Sequence, residues 1–240
     1  MKTKLFKAEE RGHADYDWLK ANYSFSFANY HNHEREHFGA LRVLNDDFIK
    51  GGTGFGEHPH KNMEIISIPL EGGLKHKDSM SNTWIPLHAG EVQVMSAGSG
   101  IQHSERNESL KEQLNLFQIW VIPDTMNIAP NYGQKTFDPK DRKDALQVLV
   151  HSYKDDLNDE LRIHQDAQIS RIDLSKGKSF DYSLRSSNHG VYVMLISGGI
   201  KIEDSILKTR DALGIWRTDF FKIEASDNAE IILIEVPMVF

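Results

Sequence analysis

The feature that most constrains this 240-residue sequence is a series of short apolar segments, each about as long as a β-strand. Residues rich in Gly, Pro, Asn and Asp separate these segments, and amphipathic helical patterns are few. Many short strands joined by turns are typical of a β-sandwich or β-barrel, so we predict an all-β fold with few short helices. The predicted strands are residues 41–44, 63–70, 91–95, 114–122, 146–150, 168–174, 190–196 and 229–236.

The two halves of the sequence resemble each other. Residues 71–74 are similar to residues 197–200, and residues 90–95 are similar to residues 211–216. Each half then closes with an apolar segment that ends in a proline. We therefore predict two tandem β modules that are joined within residues 124–145.

Charge and cysteine content exclude several classes of function. The chain carries 28 basic and 35 acidic residues, whereas a nucleic-acid-binding surface needs a positive field, so we expect no nucleic-acid partner. The absence of cysteine excludes disulfides, thiolate metal sites, iron–sulfur clusters and a cysteine nucleophile. Imidazole and carboxylate are then the ligands for any transition metal, and nine of the 12 histidines lie within residues 1–103.

No targeting or membrane segment stands out in the sequence. The first 12 residues lack the apolar stretch of a signal peptide, and no segment approaches the roughly 20 apolar residues of a membrane-spanning helix. We expect a cytoplasmic protein without membrane contact and, as a weaker preference, a monomer. Residues 154–160 are strongly charged and are predicted to form a solvated loop.

The main chemical motif consists of two pairs of polar residues, His58 with His60 and His103 with Glu105. Residues two apart in a strand share a face, so each pair points in one direction. Pro59 favours an extended backbone at His58, which fits a strand and not a helix. Three imidazoles and one carboxylate leave coordination positions open for water, substrate or dioxygen. The two pairs therefore predict a metal site.

These motifs resemble those of the cupin superfamily, and more narrowly those of the pirin family, especially bacterial pirin-like quercetin 2,3-dioxygenases. The resemblance covers most of residues 10–135 and is looser in the C-terminal half. The segments that carry it are residues 11–13, 18–19, 25–30, 41–47, 54–60, 63–65, 70–72, 76–80, 93–98, 100–105 and 118–120.

The resemblance implies a bicupin fold, in which two jelly-roll β-barrels follow each other along the chain. It places a metal-binding cupin barrel at residues 1–135 and a degenerate, metal-free barrel at residues 136–240. It also implies one mononuclear metal in the N-terminal barrel, usually iron, with Zn, Mn, Cu or Ni as alternatives. The ligands that it assigns are His58, His60, His103 and Glu105.

Glu64 is a second candidate carboxylate, because the general cupin motif uses a glutamate at this place. In a regular strand Glu64 would share a face with His60, so geometry alone leaves it open as a ligand. The pirin pattern instead uses Glu105. We therefore place Glu64 behind the ligands, where it would orient an imidazole N–H.

The internal repeat predicts the residues that take the place of the ligands in the C-terminal module. Offsets of 126 and 121 positions lead from the four ligands to residues without an imidazole. We therefore predict that this module binds no metal. The predicted counterparts are Leu184, Ser186, Glu224 and Ser226.

The other histidines and the aromatic residues receive mostly structural interpretations. His31, His33 and His37 are predicted to lie in an exposed loop, and His76 and His88 in polar hairpin turns. Phe55 adjoins the ligand segment and is predicted to line a substrate pocket. The remaining aromatic candidates, Phe25, Phe27 and Trp120, are predicted to be core residues.

The resemblance implies a dioxygenase that opens the heterocycle of flavonols such as quercetin, with dioxygen as the second substrate. Deprotonation of the flavonol 3-hydroxyl would require a base, and Glu105 is the candidate. A first alternative is a non-enzymatic, metal- and redox-dependent regulator that binds a partner protein. A second is a cupin isomerase or hydrolase, in which the metal only polarises a carbonyl group.

Overall fold

The computed structural model describes residues 1–155 and 161–240, and most of them are in β-strands. Much of the charged loop predicted at residues 154–160 therefore lies outside the described residues. The first eleven strands are β1 Lys2–Phe6, β2 Gly12–Asp15, β3 Leu19–Tyr23, β4 Leu41–Ile49, β5 Gly54–His60, β6 Glu64–Glu71, β7 Gly73–Asp78, β8 Ile85–His88, β9 Glu91–Ser96, β10 Ile101–Asn107 and β11 Leu114–Val121. The later strands are β12 Asn131–Thr136, β13 Gln147–Ser152, β14 Leu161–Ile163, β15 Gln168–Leu174, β16 Ser179–Ser183, β17 His189–Ser197, β18 Gly199–Ile202, β19 Ser205–Lys208, β20 Ala212–Trp216, β21 Phe220–Ala225 and β22 Ala229–Pro237.

Helical structure among these residues is limited to two 3₁₀ turns, Ala8–Glu10 and Pro139–Arg142. Each of the eight predicted segments overlaps an observed strand, and the predicted all-β fold is confirmed. The largest difference is at β4, which extends beyond residue 44 to Ile49 through three consecutive polar residues. Within the described parts of the chain, no helix is long and apolar enough to cross a membrane.

The strands form four sheets, two in each half of the chain. The large sheets have the orders β12-β9-β6-β11-β4-β3-β2 and β1-β20-β17-β22-β15-β13-β14. The small sheets have the orders β5-β10-β7-β8 and β16-β21-β18-β19. The same strand order recurs in the two halves. One strand crosses between the halves, because the N-terminal strand β1 pairs with β20 in the large sheet of the C-terminal half. The division of the chain into two domains at residue 135 stays a prediction.

The two large sheets pack face to face and form the main hydrophobic core. Alternate residues of β11 and β22, such as Phe117, Ile119, Ile232 and Ile234, meet in this core. The opposite faces of the large sheets are covered by the small sheets. Strands such as β17 are buried on both faces, which is why their sequences read as continuous apolar runs.

A cluster of buried polar residues ties the two halves together at Asp46 of β4. Its carboxylate forms an ion pair with Arg210 Nε at 3.1 Å and accepts from Asn115 Nδ2 at 2.9 Å and from Arg11 Nη1 at 3.4 Å. Arg210 also donates to Asn115 Oδ1 at 3.0 Å. Because Arg210 precedes β20 and Asp46 lies in β4, these bonds join the large sheets of the two halves.

Candidate metal centre

Three of the predicted ligands meet on two paired strands of the N-terminal small sheet. Strands β5 and β10 run antiparallel, which places His103 opposite His58 and Ile101 opposite His60. The Nε2 atoms of His58 and His103 are 2.9 Å apart, and each of the three imidazoles offers a nitrogen within 4.8 Å of the others. This is the compact donor cluster that a transition metal needs.

The surroundings of His60 and His103 favour their neutral forms. Burial lowers the pKa of His60 to about 4, and the neighbouring His58 lowers it further. Burial also lowers the pKa of His103 to about 2, with contributions from the imidazoles around it. The ring of His58 is fixed by a 2.8 Å bond from Nδ1 to the Gly56 carbonyl, which leaves the Nε2 lone pair facing His103. A neutral imidazole with a free lone pair is the form that binds metals.

The predicted carboxylate, Glu105, lies on the same strand but faces a slightly different set of groups. A bulge in the pairing of β10 with β5 falls between His103 and Glu105. Gln118 Nε2 donates to Glu105 Oε2 at 2.6 Å, and Ser67 Oγ lies 3.5 Å from Oε1. Burial raises the pKa of Glu105 to about 7. Its ligand atoms cluster with His103 and His76, and not with all three predicted histidines.

His76 is the site residue that the sequence interpretation missed. It was expected in a polar hairpin turn, but it is fully buried within β7, directly opposite Glu105. Its Nδ1 lies 3.4 Å from His103 Nδ1, and its Nε2 lies 3.3 Å from Asp78 Oδ2. Gln93 Nε2 also lies 3.3 Å from His76 Nδ1.

The signal that could have found His76 is its spacing. His76 and Asp78 are two residues apart in the sequence, as the other site pairs are. His88, by contrast, does lie at the end of a hairpin strand, half exposed and bonded to Glu91 and Glu108.

Glu64 lies elsewhere than predicted. Its carboxylate accepts a 2.6 Å bond from Ser96 Oγ and a bond from the His164 backbone, and burial raises its pKa to about 7. The prediction assumed one regular strand from His60 to Glu64. Instead, β5 ends at His60, Asn62 has a positive φ of 50°, and β6 starts in another sheet. The side chain of Glu64 therefore lies on the face of β6 that packs against the C-terminal half. Ser67, whose hydroxyl contacts Glu105, lies on the opposite face.

A cavity of about 460 Å³ opens beside the imidazoles and Glu105. Phe55 lines it, and its ring packs edge-on against Trp18 at 5.2 Å; that this cavity binds the substrate stays a prediction. Phe27 and Trp120 also line it, although they were predicted to be core residues. They lie there because Trp120 is on the same face of β11 as Gln118, with its ring 4.9 Å from that of His60. Phe25 is a core residue, as predicted.

The histidines at residues 31–37 stand apart from this site. His31, His33 and His37 are exposed, as predicted. His33 pairs with Glu36 at 3.4 Å, and His37 Nδ1 lies 2.9 Å from the Gly39 carbonyl. Neither of the two potential metal-ligand clusters found within residues 1–155 and 161–240 includes them.

The strand pairing identifies the positions in the C-terminal half that correspond to the site. Strands β7 and β18 begin at the equivalent residues Gly73 and Gly199. The next residue of each strand pairs with Asn107 in one half and with Ala225 in the other, so these two residues correspond. Glu105 and His103 lie two and four residues before Asn107, and the residues at the same distances before Ala225 are Ile223 and Phe221. The counterparts of His58, His103 and Glu105 are then Tyr182, Phe221 and Ile223.

These counterparts form an apolar core. Tyr182 and Phe221 stack with ring centroids 5.3 Å apart, and Ile223 is buried beside them. The counterparts predicted from the sequence offset on this strand, Glu224 and Ser226, are therefore wrong by three residues, because loop lengths differ between the halves. Glu224 lies on the exposed face of β21. That the C-terminal half binds no metal stays a prediction.

Comparison with known proteins agrees with this architecture and site. A family model described as Pirin matches residues 5–121, and a model described as a quercetinase C-terminal cupin domain matches residues 149–236. A pirin-like protein of Caulobacter vibrioides is 39% identical over 227 residues, which cover 95% of this chain and 96% of that protein. The predicted bicupin fold is thus confirmed.

Two further relatives come from Escherichia coli. A quercetin 2,3-dioxygenase of strain K12 is 42% identical over 235 residues, covering 98% of this chain and 99% of that protein. The crystal structure of the bacterial pirin YhhW in complex with nickel(II) superposes with a TM-score of 0.92 at 39% identity, covering 99% of this chain and 100% of that one. The chain therefore belongs to the pirin family, as its motifs predicted.

Proposed function

We propose that this protein is a metal-dependent dioxygenase that opens the heterocycle of flavonols such as quercetin. The observation that carries the proposal is that a cluster of three imidazoles adjoins an aromatic-lined cavity of about 460 Å³. Cavities that bind small molecules have volumes of about 300–1,000 Å³ and combine apolar walls with a few placed polar groups. The quercetin 2,3-dioxygenase of Escherichia coli, at 42% identity, supports the substrate class.

The proposed ligands are His58, His60, His103 and Glu105, and the donor set fits a divalent transition metal. The three imidazoles are close together. The lowered pKa values of His60 and His103 mean that these two rings need not lose a proton before they bind a metal. Glu105 Oε2 accepts a short 2.6 Å bond from Gln118, whereas Oε1 accepts only a long 3.5 Å bond from Ser67, so Oε1 is the proposed ligating atom. We propose Fe(II) as the metal, with Zn, Mn, Cu or Ni as alternatives. The nickel(II) complex of the YhhW pirin supports a divalent ion.

When bound, the metal supplies a Lewis acid and a template for the flavonol and dioxygen. The protein holds the flavonol between aromatic rings, with Phe55 and Trp18 on one side and Trp120 and Phe27 on another. These rings also exclude water from the reacting atoms. Glu105 is the proposed base for the flavonol 3-hydroxyl, because it lines the cavity while Gln118 holds its Oε2. Its Oε1 would act as the base only while it does not ligate the metal.

An oxygen-uptake assay tests this proposal. The protein is loaded with Fe(II) without oxygen, mixed with quercetin and then exposed to air, and both flavonol absorbance and dissolved oxygen are followed. We expect the flavonol absorbance to fall while equimolar oxygen is consumed. The metal-free protein is the matched control and should consume none.

The same assay separates the alternatives. Turnover of a substrate without oxygen would select an isomerase or hydrolase. Unchanged absorbance and no oxygen uptake by a fully Fe(II)-loaded protein would overturn the dioxygenase proposal and favour a metal- and redox-dependent regulator that binds a partner protein.

A further inference from the structure

We propose that Asn45 and Asp47 form a hydrogen-bonding subsite that recognises a substrate hydroxyl other than the one held at the metal centre. This proposal rests on the proposed function. It means that the cavity prefers a flavonol with several hydroxyls to one that carries the 3-hydroxyl alone.

The two side chains stand on the wall of the cavity. Strand β4 alternates its side chains, so Asp46 faces the C-terminal half while Asn45 and Asp47 face the cavity. Asn45 lies opposite Gln118 of β11 and Tyr23 of β3. Asn45 and Asp47 therefore extend the polar wall of the cavity that begins at Gln118, the residue that donates to the carboxylate of Glu105.

Both side chains are buried and lack a partner at one oxygen. Asn45 and Asp47 are each only 2% exposed. Neither Asn45 Oδ1 nor Asp47 Oδ1 has a hydrogen bond from any group in the described chain. Buried polar atoms are nearly always paired, so two orphan acceptors on one cavity wall indicate that a ligand completes them.

The chemistry of the two groups defines the ligand. Asn45 Oδ1 is an acceptor and pairs with a donating hydroxyl. Burial, with the nearby carboxylates of Asp46 and Glu105, raises the pKa of Asp47 well above its usual value. A carboxyl group accepts from a hydroxyl in either protonation state, so the unpaired Oδ1 of Asp47 suits a phenol and disfavours an anion.

The aromatic lining supplies the remaining selectivity. Trp18, Tyr23, Phe27, Phe55 and Trp120 surround the cavity, so a flat ring system fits between them. A flavonol held by its 3-hydroxyl at the imidazoles then presents the hydroxyls of its other rings to the cavity walls. Quercetin carries such hydroxyls, and 3-hydroxyflavone lacks them.

The test is a binding comparison that does not need turnover. Quercetin and 3-hydroxyflavone are titrated into the Zn(II)-loaded protein without oxygen, for the wild type and for Asn45→Leu and Asp47→Leu. We expect the wild type to bind quercetin at least tenfold more tightly. Each substitution should weaken quercetin binding by about tenfold to a hundredfold and change 3-hydroxyflavone binding by less than threefold.

Two further variants separate recognition from structure. Asp47→Asn keeps a donor and an acceptor, so it should retain most of the preference for quercetin. Lys20→Leu, on the exposed side of the neighbouring strand β3, should bind both flavonols as the wild type does. All four variants should hold one Zn(II) per chain. Equal losses for both flavonols in the Leu variants would show a structural role and overturn the proposal.

The outcomes also distinguish this subsite from the proposed function. If the preference depends on Asn45 and Asp47 but oxygen uptake is absent, the subsite stands and the dioxygenase proposal fails. If oxygen is consumed but quercetin has no advantage, the subsite fails alone. If the wild type binds neither flavonol, 2,7-dihydroxynaphthalene and 2-naphthol replace them. An absence of preference between those two compounds overturns the subsite as well.

Discussion

His76 provides the sharpest test of how the protein prepares its metal ligands. His103 can bind a metal through Nε2 only when its proton is on Nδ1, and the acceptor facing that Nδ1 is His76 Nδ1 at 3.4 Å. His76 in turn can donate from Nε2 to Asp78 at 3.3 Å. Both rings are buried, so water cannot replace the missing acceptor. We predict that His76→Phe, which keeps the ring and removes the acceptor, weakens metal binding.

The expected loss of metal affinity follows from the His103 Nδ1–H, which has no acceptor in His76→Phe. A buried donor without a partner costs about 1–3 kcal/mol. Since about 1.4 kcal/mol corresponds to a tenfold change in affinity, His76→Phe should weaken binding by about tenfold to a hundredfold. Loss of an outer hydrogen bond to a ligating histidine has effects of about this size in metalloproteins. His76→Asn places an amide oxygen near the former Nδ1 and should recover part of the affinity.

Competition against a chromophoric chelator measures this change for Zn(II) and Ni(II). The matched control is His88→Phe on the next strand, because the imidazole of His88 bonds to Glu91 and Glu108 and not to the proposed ligands. It should bind both metals as the wild type does. If folded His76→Phe bound them within threefold of the wild type, His103 would not depend on His76 and the reasoning would be wrong.

The remaining predictions concern a ligand, a buried carboxyl group and the contact between the halves. His103→Ala should purify without stoichiometric metal, whereas Glu224→Ala should keep one metal per chain; elemental analysis measures both. Burial raises the pKa of Glu64 to about 7. The free energy of unfolding of the wild type should therefore fall by about 3 kcal/mol, through this group, as the pH rises from about 4.5 to about 7. Glu64→Gln lacks this loss, and denaturant unfolding at pH 4.5 and 7.5 should show the difference. Asp46→Ala leaves the guanidinium of Arg210 without its carboxylate and should lower the free energy of unfolding by about 3–5 kcal/mol.

Each of these predictions has a contrary result. Full metal content in His103→Ala would remove that residue from the ligand set. A stability difference between Glu64→Gln and the wild type that is equal at both pH values would contradict the raised pKa. A loss below about 1 kcal/mol in Asp46→Ala would show that the contact between the halves does not depend on this carboxylate.

The sequence predicted the apolar strands well and the polar strands of the site poorly. Strands such as β17 and β22 are buried on both faces, so their apolar runs are unambiguous. Strand β10 carries mostly polar residues, and β5 has only one large apolar residue, Phe55, because one face of each strand lines the metal centre. A hydropathy pattern does not distinguish a polar cavity from solvent, which is why His76 read as part of a turn.

The same limit explains the prediction at β4. The polar triplet Asn45, Asp46 and Asp47 looked like the end of a strand at residue 44, yet all three are buried. Their burial depends on partners far away in the sequence, with Arg210 on one face and the cavity on the other. Likewise, the pairing of β1 with β20 depends on the complete fold and leaves no local signal.

The arrangement of the sheets explains how the N-terminal half tolerates so many buried polar groups. One face of its large sheet carries Ser67, Gln118, Asn45 and Asp47, which contribute little hydrophobic stabilisation. The other face packs against the large sheet of the C-terminal half through aliphatic and aromatic residues. Burial of apolar surface stabilises a fold at about 25 cal/mol per Å², so this interface offsets the cost of the polar face. The C-terminal half, with a stacked Tyr182 and Phe221 where the other half has His58 and His103, therefore serves the site as its hydrophobic support.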